Sequence, residues 1–130
     1  MKIVFDTNFL LIPYQFGVDI FSELDRIIPE KNELVVYEGV VSELKKIAEK
    51  HTKDAPAARF ALNLIKEKDI NIESAKDINV DDWIVAKARK ERIVVCTNDM
   101  KLRRKLRKIA LVVGLREKSH LQIVAGDYFV

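Results

Sequence analysis

Four short runs in this chain are apolar without interruption: Ile3–Phe5, Leu34–Tyr37, Ile93–Cys96 and Leu111–Val113. A strand with one face in water alternates apolar and polar residues, because successive side chains point to opposite faces. Continuous runs need cover on both faces, and that is the condition of a parallel sheet held between helices. The segments between the runs carry the helical period instead. Val18–Ile28 puts Ile20, Phe21, Leu24, Ile27 and Ile28 on one side, with Pro29 after it. Val40–Lys50 has a stripe of Val40, Leu44, Ile47 and Ala48. Asp54 is placed to cap a helix running to about Lys68, with Pro56 in its first turn. Asn79 is placed to cap Val80–Glu91, and Met100–Lys108 reads as a very basic helix. Asp69–Ile72 reads as a short edge strand, Ala110–Leu115 as a strand around the fourth apolar run, and Leu121–Val124 as a last strand. The expected fold is a three-layer α/β/α sandwich with a central, mainly parallel sheet. At 130 residues, positions 1–130 are expected to form a single domain.

Several function classes are disfavoured at once. Cys96 is the single cysteine, so no internal disulfide and no cysteine-based zinc site is expected. Only three apolar residues follow Met1-Lys2, too few for a signal sequence, and no apolar run approaches a membrane span. The expectation is a cytoplasmic protein with no membrane partner. A net charge of +3 is compatible with nucleic acid without demanding it.

The acidic residues are more informative. In open α/β sheets ligands bind beyond the carboxyl ends of the strands. Asp6 directly follows the first apolar run, and Asp99 lies just past the third. Two readings are open for each: a helix cap, which Asp and Asn favour, or part of a site. On the Val40–Lys50 helix, Glu43 lies at the margin of the apolar stripe, and by itself it reads as an ordinary exposed glutamate. Asp81 and Asp82 separate by helical geometry. Asp81 falls on the line of Ile84, Val85 and Ala88, while Asp82 lies roughly 110° away. A carboxylate on a core-facing line is costly unless it is paired or binds a metal. Asp82 is accounted for as an acid in the first turn after the Asn79 cap, and it stands as a neighbour of the site. Acids brought together repel unless a cation joins them. Oxygen ligands without histidine or cysteine suit Mg²⁺ or Mn²⁺. Thr7, Asn8, Thr97 and Asn98 flank the acids and can hold carboxylates, metal waters or a phosphate oxygen.

Between Lys87 and Lys108 there are ten Lys/Arg residues against Glu91 and Asp99. In the last helix, Leu102, Leu106 and Ile109 mark a narrow buried line, and Lys101, Arg103, Arg104, Lys105, Arg107 and Lys108 cover the rest. A charge run of this kind is either a solvated face or a phosphate-tracking patch. Its start one residue past Asp99 favours the patch. Arg116 and Lys118 follow a strand and read equally as phosphate contacts or as ordinary surface residues. Trp83 lies off the apolar line of its helix, either to stack on a base or to pack on a neighbouring element or a second subunit. Cys96 reads as core. His51 and His120 show no ligand spacing.

Taken together, Val4-Phe5-Asp6-Thr7-Asn8, Val41-Ser42-Glu43-Leu44, Asp81-Asp82-Trp83-Ile84 and Thr97-Asn98-Asp99 resemble the acidic motifs of PIN-domain nucleases, in order and across nearly the whole chain. The resemblance implies a Mg²⁺- or Mn²⁺-dependent endoribonuclease with Asp6, Glu43, Asp81 and Asp99 as catalytic, metal-holding residues. Asp82 leaves the third position open by one residue. The stretch from Thr97 to Arg107 with Leu115-Arg116-Glu117-Lys118 looks like archaeal relatives of the small-subunit processome nucleases, which cut ribosomal precursor RNA. VapC-type toxins, which pair with an antitoxin protein, have about this length. Members of the family often form homodimers. A non-catalytic RNA- or ribosome-binding module of the same fold is the rival reading. A phosphatase-type acidic site ranks below both, because Asp6-Thr7-Asn8 lacks a second aspartate two residues on.

Overall fold

The computed structural model describes residues 1–126. A six-stranded sheet forms its middle layer, in the order β3-β2-β1-β4-β5-β6. The strands are β1 (Lys2–Phe5), β2 (Glu33–Tyr37), β3 (Asn71–Glu73), β4 (Ile93–Cys96), β5 (Leu111–Arg116) and β6 (His120–Ala125). The first five run parallel, and β6 returns antiparallel to β5. Val4 pairs with Val35 on one side and Val95 on the other. The chain winds outward from β1 to β3, then crosses back to β4 and winds the other way. The sheet therefore has its switch point between β1 and β4, where such folds open a crevice at the carboxyl ends of the strands.

The helices are α1 (Ile12–Phe16), α2 (Ile20–Ile27), α3 (Glu38–Glu49), α4 (Ala55–Glu67), α5 (Val80–Lys90) and α6 (Met100–Leu106). Right-handed connections put α1–α4 on one face and α5 and α6 on the other. Accordingly α4 packs against α1 and α3, and α5 against α6. Covered on both faces, Ile3, Val4, Phe5, Val35, Val36 and the whole of Ile93–Cys96 are buried. Cys96 is a core residue, as expected, and burial raises its thiol pKa well above the usual value.

Some boundaries differ from the sequence expectation for local reasons. The helix expected over Val18–Ile28 begins at Ile20, because the Asp19 carboxylate caps it by accepting the Phe21 and Ser22 N–H groups at 3.1 Å. Asp54 precedes α4 but makes no side-chain cap; its carboxylate accepts Gln15 Nε2 instead, at 3.3 Å. Asp69 takes a left-handed φ of 49°, so the edge strand starts later, at Asn71. A 3₁₀ turn over Asn8–Leu11 and the five-residue α1 fill a stretch too short to show a helical period in the sequence. The expected Asn79 cap is present, and it is reciprocal. Its side-chain oxygen accepts Asp82 N–H and its amide donates to the Asp82 carboxylate, both at 2.9 Å.

Trp83 packs on a neighbouring element and is 7% exposed. Its indole lies against the Tyr37 ring, centroids 5.1 Å apart and planes 13° apart. Tyr37 in turn donates its hydroxyl to the Ile78 carbonyl at 2.7 Å. A Cβ at Gly39 would fall 2.4 Å from the Tyr37 ring, so that glycine leaves the ring its place. Base stacking by Trp83 is thereby excluded. His51 is exposed, and His120 is half-buried with Nδ1 2.9 Å from the Ser119 hydroxyl.

Candidate active site

The switch point brings the expected acids to one place. Asp6 sits at the end of β1, Glu43 in the second turn of α3, Asp81 in the first turn of α5, and Asp99 at the start of α6. All four line one cavity of about 420 Å³, together with Thr7, Asn8, Asn79, Val80, Asp82 and Lys105.

Asp6 is the most constrained of them. It is 7% exposed, and both its oxygens are engaged. Oδ1 accepts the Phe9 N–H at 2.8 Å, and Oδ2 accepts the Thr97 hydroxyl. Thr97, itself 1% exposed, also accepts the Asp99 N–H at 3.0 Å. One hydroxyl therefore links the ends of β1 and β4. Burial raises the Asp6 pKa to about 6; the Thr97 and Phe9 donors oppose the shift, and the nearby charges of Asp81 and Asp99 add to it.

Asp81 is half-buried and Asp82 exposed, which is the order that helix geometry predicts. Asp81 is raised as well, first by burial and next by Asp99, with Glu43 and Asp82 pushing the same way and Lys105 opposing. These carboxylates feel one another across the cavity, and Lys105 is the cation in its wall. Asp99 caps α6 with Oδ1, which accepts the Lys101 and Leu102 N–H groups at 2.8 and 3.2 Å. Cap and site residue, the alternatives left open by the sequence, are compatible in one side chain. Exposed Glu43 accepts the Thr7 hydroxyl, which ties α3 to the end of β1. No pattern in the sequence signals that contact.

Asn98 and most of the expected phosphate contacts lie elsewhere. The Asn98 side-chain oxygen accepts the Leu115 N–H at 2.8 Å, so Asn98 faces β5 rather than the acids. Of the basic set, Lys105 lines the acidic cavity. Arg103 is half-buried and donates to the Val124 carbonyl at 2.8 Å. With Arg116 it lines a second cavity. Lys101, Arg104, Arg107 and Lys108 stand exposed on or just after α6.

The donor set is oxygen-only and crowded with like charge, which suits a hard divalent cation. Among the described residues no group of three His, Cys, Asp or Glu side chains forms a ready-made ion cluster. Among the described residues no helix is long and apolar enough to cross a membrane.

Known proteins share this architecture. The family model described as a PIN-like domain matches residues 3–118. The chain is 29% identical over 127 residues to ribonuclease VapC4 of Methanocaldococcus jannaschii, across 94% of this chain and 95% of that protein. In structure it is similar to the PIN domain endonuclease Utp24, with a TM-score of 0.77 at 22% identity, over 95% of this chain and 92% of that one. A domain of a functionally unknown M. jannaschii protein superposes with a TM-score of 0.56 at 19% identity, over 96% and 99% of the two chains. These two structural likenesses speak to fold. With the family match spanning the five parallel strands and the acidic cavity, this chain belongs to the PIN-like domain family.

Proposed function

We propose that this protein is a divalent-metal-dependent endoribonuclease that hydrolyses RNA phosphodiester bonds. The reading rests on one observation: Asp6, Glu43, Asp81 and Asp99, from four separate segments, line one cavity with Lys105 in its wall. The ribonuclease activity named for the relative VapC4 supports it. In this reading residues 1–130 act as one domain.

Asp6, Glu43, Asp81 and Asp99 would hold Mg²⁺ or Mn²⁺. When bound, such an ion supplies a Lewis acid for the phosphoryl group and lowers the pKa of water. The chain's own residues do the rest. Thr97 and the Phe9 N–H fix both oxygens of Asp6. Asp99 is held by its cap through Oδ1, which leaves Oδ2 for a ligand. Thr7 orients Glu43, and Asn79 holds Asp82 at the rim. Lys105 offers a positive charge to a phosphate that enters the cavity.

Two roles fit the reading. Similarity to VapC4 supports a toxin whose partner is an antitoxin protein. The basic stretch from Thr97 to Arg107 supports cutting of a ribosomal precursor. An antitoxin-like gene beside this one would favour the first.

The test is incubation with single-stranded and structured RNAs plus Mn²⁺. Cutting is expected, and it should be lost in Asp6→Asn. Undiminished cutting by Asp6→Asn would overturn the site. Salt-sensitive RNA binding with no metal-dependent cutting would favour the non-catalytic module.

A further inference from the structure

The loop between β4 and α6 has two sides. Asp99 faces the acidic cavity, while Thr97, Asn98 and Met100 line a second cavity of about 220 Å³. Arg103, Gly114, Leu115, Arg116 and Val124 complete it. The two cavities are neighbours across a single loop, which puts the second within reach of a nucleotide flanking one held in the first.

The chemistry of the second cavity is one-sided. Because the Leu115 N–H donates to Asn98, the atom it meets must be the amide oxygen. Asn98 therefore presents its NH₂ group, which makes no hydrogen bond among the described residues. Arg103 donates to the Val124 carbonyl at 2.8 Å and to the Met100 sulfur at 3.8 Å, which fixes its guanidinium in the cavity wall. The Thr97 hydroxyl donates to Asp6. Arg116 stands exposed at the mouth. Two arginines and the Asn98 amide line the cavity and no carboxylate does, so the side-chain groups that meet a ligand are mainly donors. Met100, 53% exposed, adds a soft apolar edge suited to an aromatic ring. Gly114 keeps the floor open, since a Cβ there would lie 3.2 Å from the Asn98 oxygen and 3.4 Å from Val124.

We propose that this cavity receives a nucleobase flanking the scissile phosphate and selects bases whose exposed edge carries a carbonyl where others carry an amino group. Uracil and guanine offer an acceptor there; cytosine and adenine put a donor against donors. Mismatched donors in a partly closed site are left without partners, and that discriminates more sharply than a lost contact. The inference rests on the endoribonuclease reading for its substrate but on different residues for its selectivity.

Uracil and cytosine differ at this position by carbonyl against amino, so short oligouridylate and oligocytidylate make a matched pair. Their binding is measured by fluorescence anisotropy without divalent cation, for the native protein and Asn98→Asp. The aspartate keeps an acceptor for the Leu115 N–H and replaces the free donor with an acceptor. The native protein should prefer oligouridylate by about tenfold, the scale of one hydrogen-bond mismatch. Asn98→Asp should erase or reverse that ratio. Equal binding of the two oligomers by the native protein, or an unchanged ratio in Asn98→Asp, overturns the proposal. Should Asn98→Asp not fold, the exposed Arg116→Leu carries the test, and the ratio must fall there. Cleavage with Mn²⁺ is read alongside. Base-dependent binding without cutting defeats the nuclease reading and keeps the pocket; cutting with no base preference does the reverse.

Discussion

The Thr97 hydroxyl donates to the Asp6 carboxylate across 91 positions of sequence, and both side chains are almost fully buried. The same oxygen accepts the Asp99 N–H. One small side chain thus sets the separation of two acids that come from different strands. Thr97→Val keeps the shape and removes both hydrogen bonds. It should cost roughly 1–3 kcal/mol, the range for a buried polar group left unpartnered, and push the Asp6 pKa further up. Chemical denaturation and the pH profile of cleavage check the two effects. Thr97→Ser should restore most of each.

Stability of the cation-free protein should fall as pH rises through the mildly acidic range. Asp6 has a pKa of about 6 in the fold against 3.8 for an ordinary aspartate. Between those values the folded state holds a proton that the unfolded state has lost, so raising the pH favours unfolding. The drop spans about pH 4 to 6 and is on the order of 3 kcal/mol for a shift of about two units. Thermal melts in a chelator should show it, and Asp6→Asn should flatten it. Added Mn²⁺ should raise the melting temperature most above pH 6, where Asp6 is ionised and the folded site alone binds the ion.

Glu43 and Asp6 should respond differently to neutralisation. Glu43 is exposed and held by one hydroxyl, so Glu43→Gln should change stability by less than about 0.5 kcal/mol. Cleavage should still fall roughly 10–100-fold, the scale seen when a metal site loses a supporting group. Retained activity in a stably folded Glu43→Gln would remove Glu43 from the site.

The basic residues of α6 should not be equivalent. Lys105 lines the acidic cavity. Lys105→Gln should weaken RNA binding uniformly across sequences and reduce the salt slope by about one charge. Arg103→Gln should lower the melting temperature as well, because it removes the bond to the Val124 carbonyl. Salt-dependent binding curves and melts of the two variants separate these effects.

Trp83 should matter for folding and not for RNA. Its ring is buried against Tyr37. Trp83→Ala should cost roughly 3–5 kcal/mol, and RNA should leave the indole fluorescence of the native protein unquenched by direct stacking. Trp83→Phe should retain much of the stability.

Burial periodicity is a local property, and it is what made the fold legible. Ile93–Cys96 is apolar throughout because both faces are covered, and its boundaries match the strand. Asp6 and Asp99 are legible as site residues because they follow strands whose ends meet at the switch point. Asp81 separates from Asp82 because a helix turns by ~100° per residue, which fixes which of two neighbours faces inward. Residues 8–16 were not legible, since a 3₁₀ turn and a five-residue helix are too short to establish a period.

Pairwise contacts between distant residues were decided by the tertiary structure. Thr7 meets Glu43 from 36 positions away, and no repeat in the chain encodes that meeting. Asn98 sits beside Asp99 in sequence, yet its side chain faces β5, because consecutive residues of an extended loop point to opposite sides. Trp83 lies off the stripe of its own helix but is buried by a tyrosine from β2. The sequence by itself determined which segments are strands and helices and put an acid after each of two central strands. Packing determined that four carboxylates share one cavity, that Lys105 alone of the α6 cations lines it, and that Arg103 and Asn98 face away. The reason is physical: a side chain's direction follows from its own backbone, but its partner follows from how the layers meet.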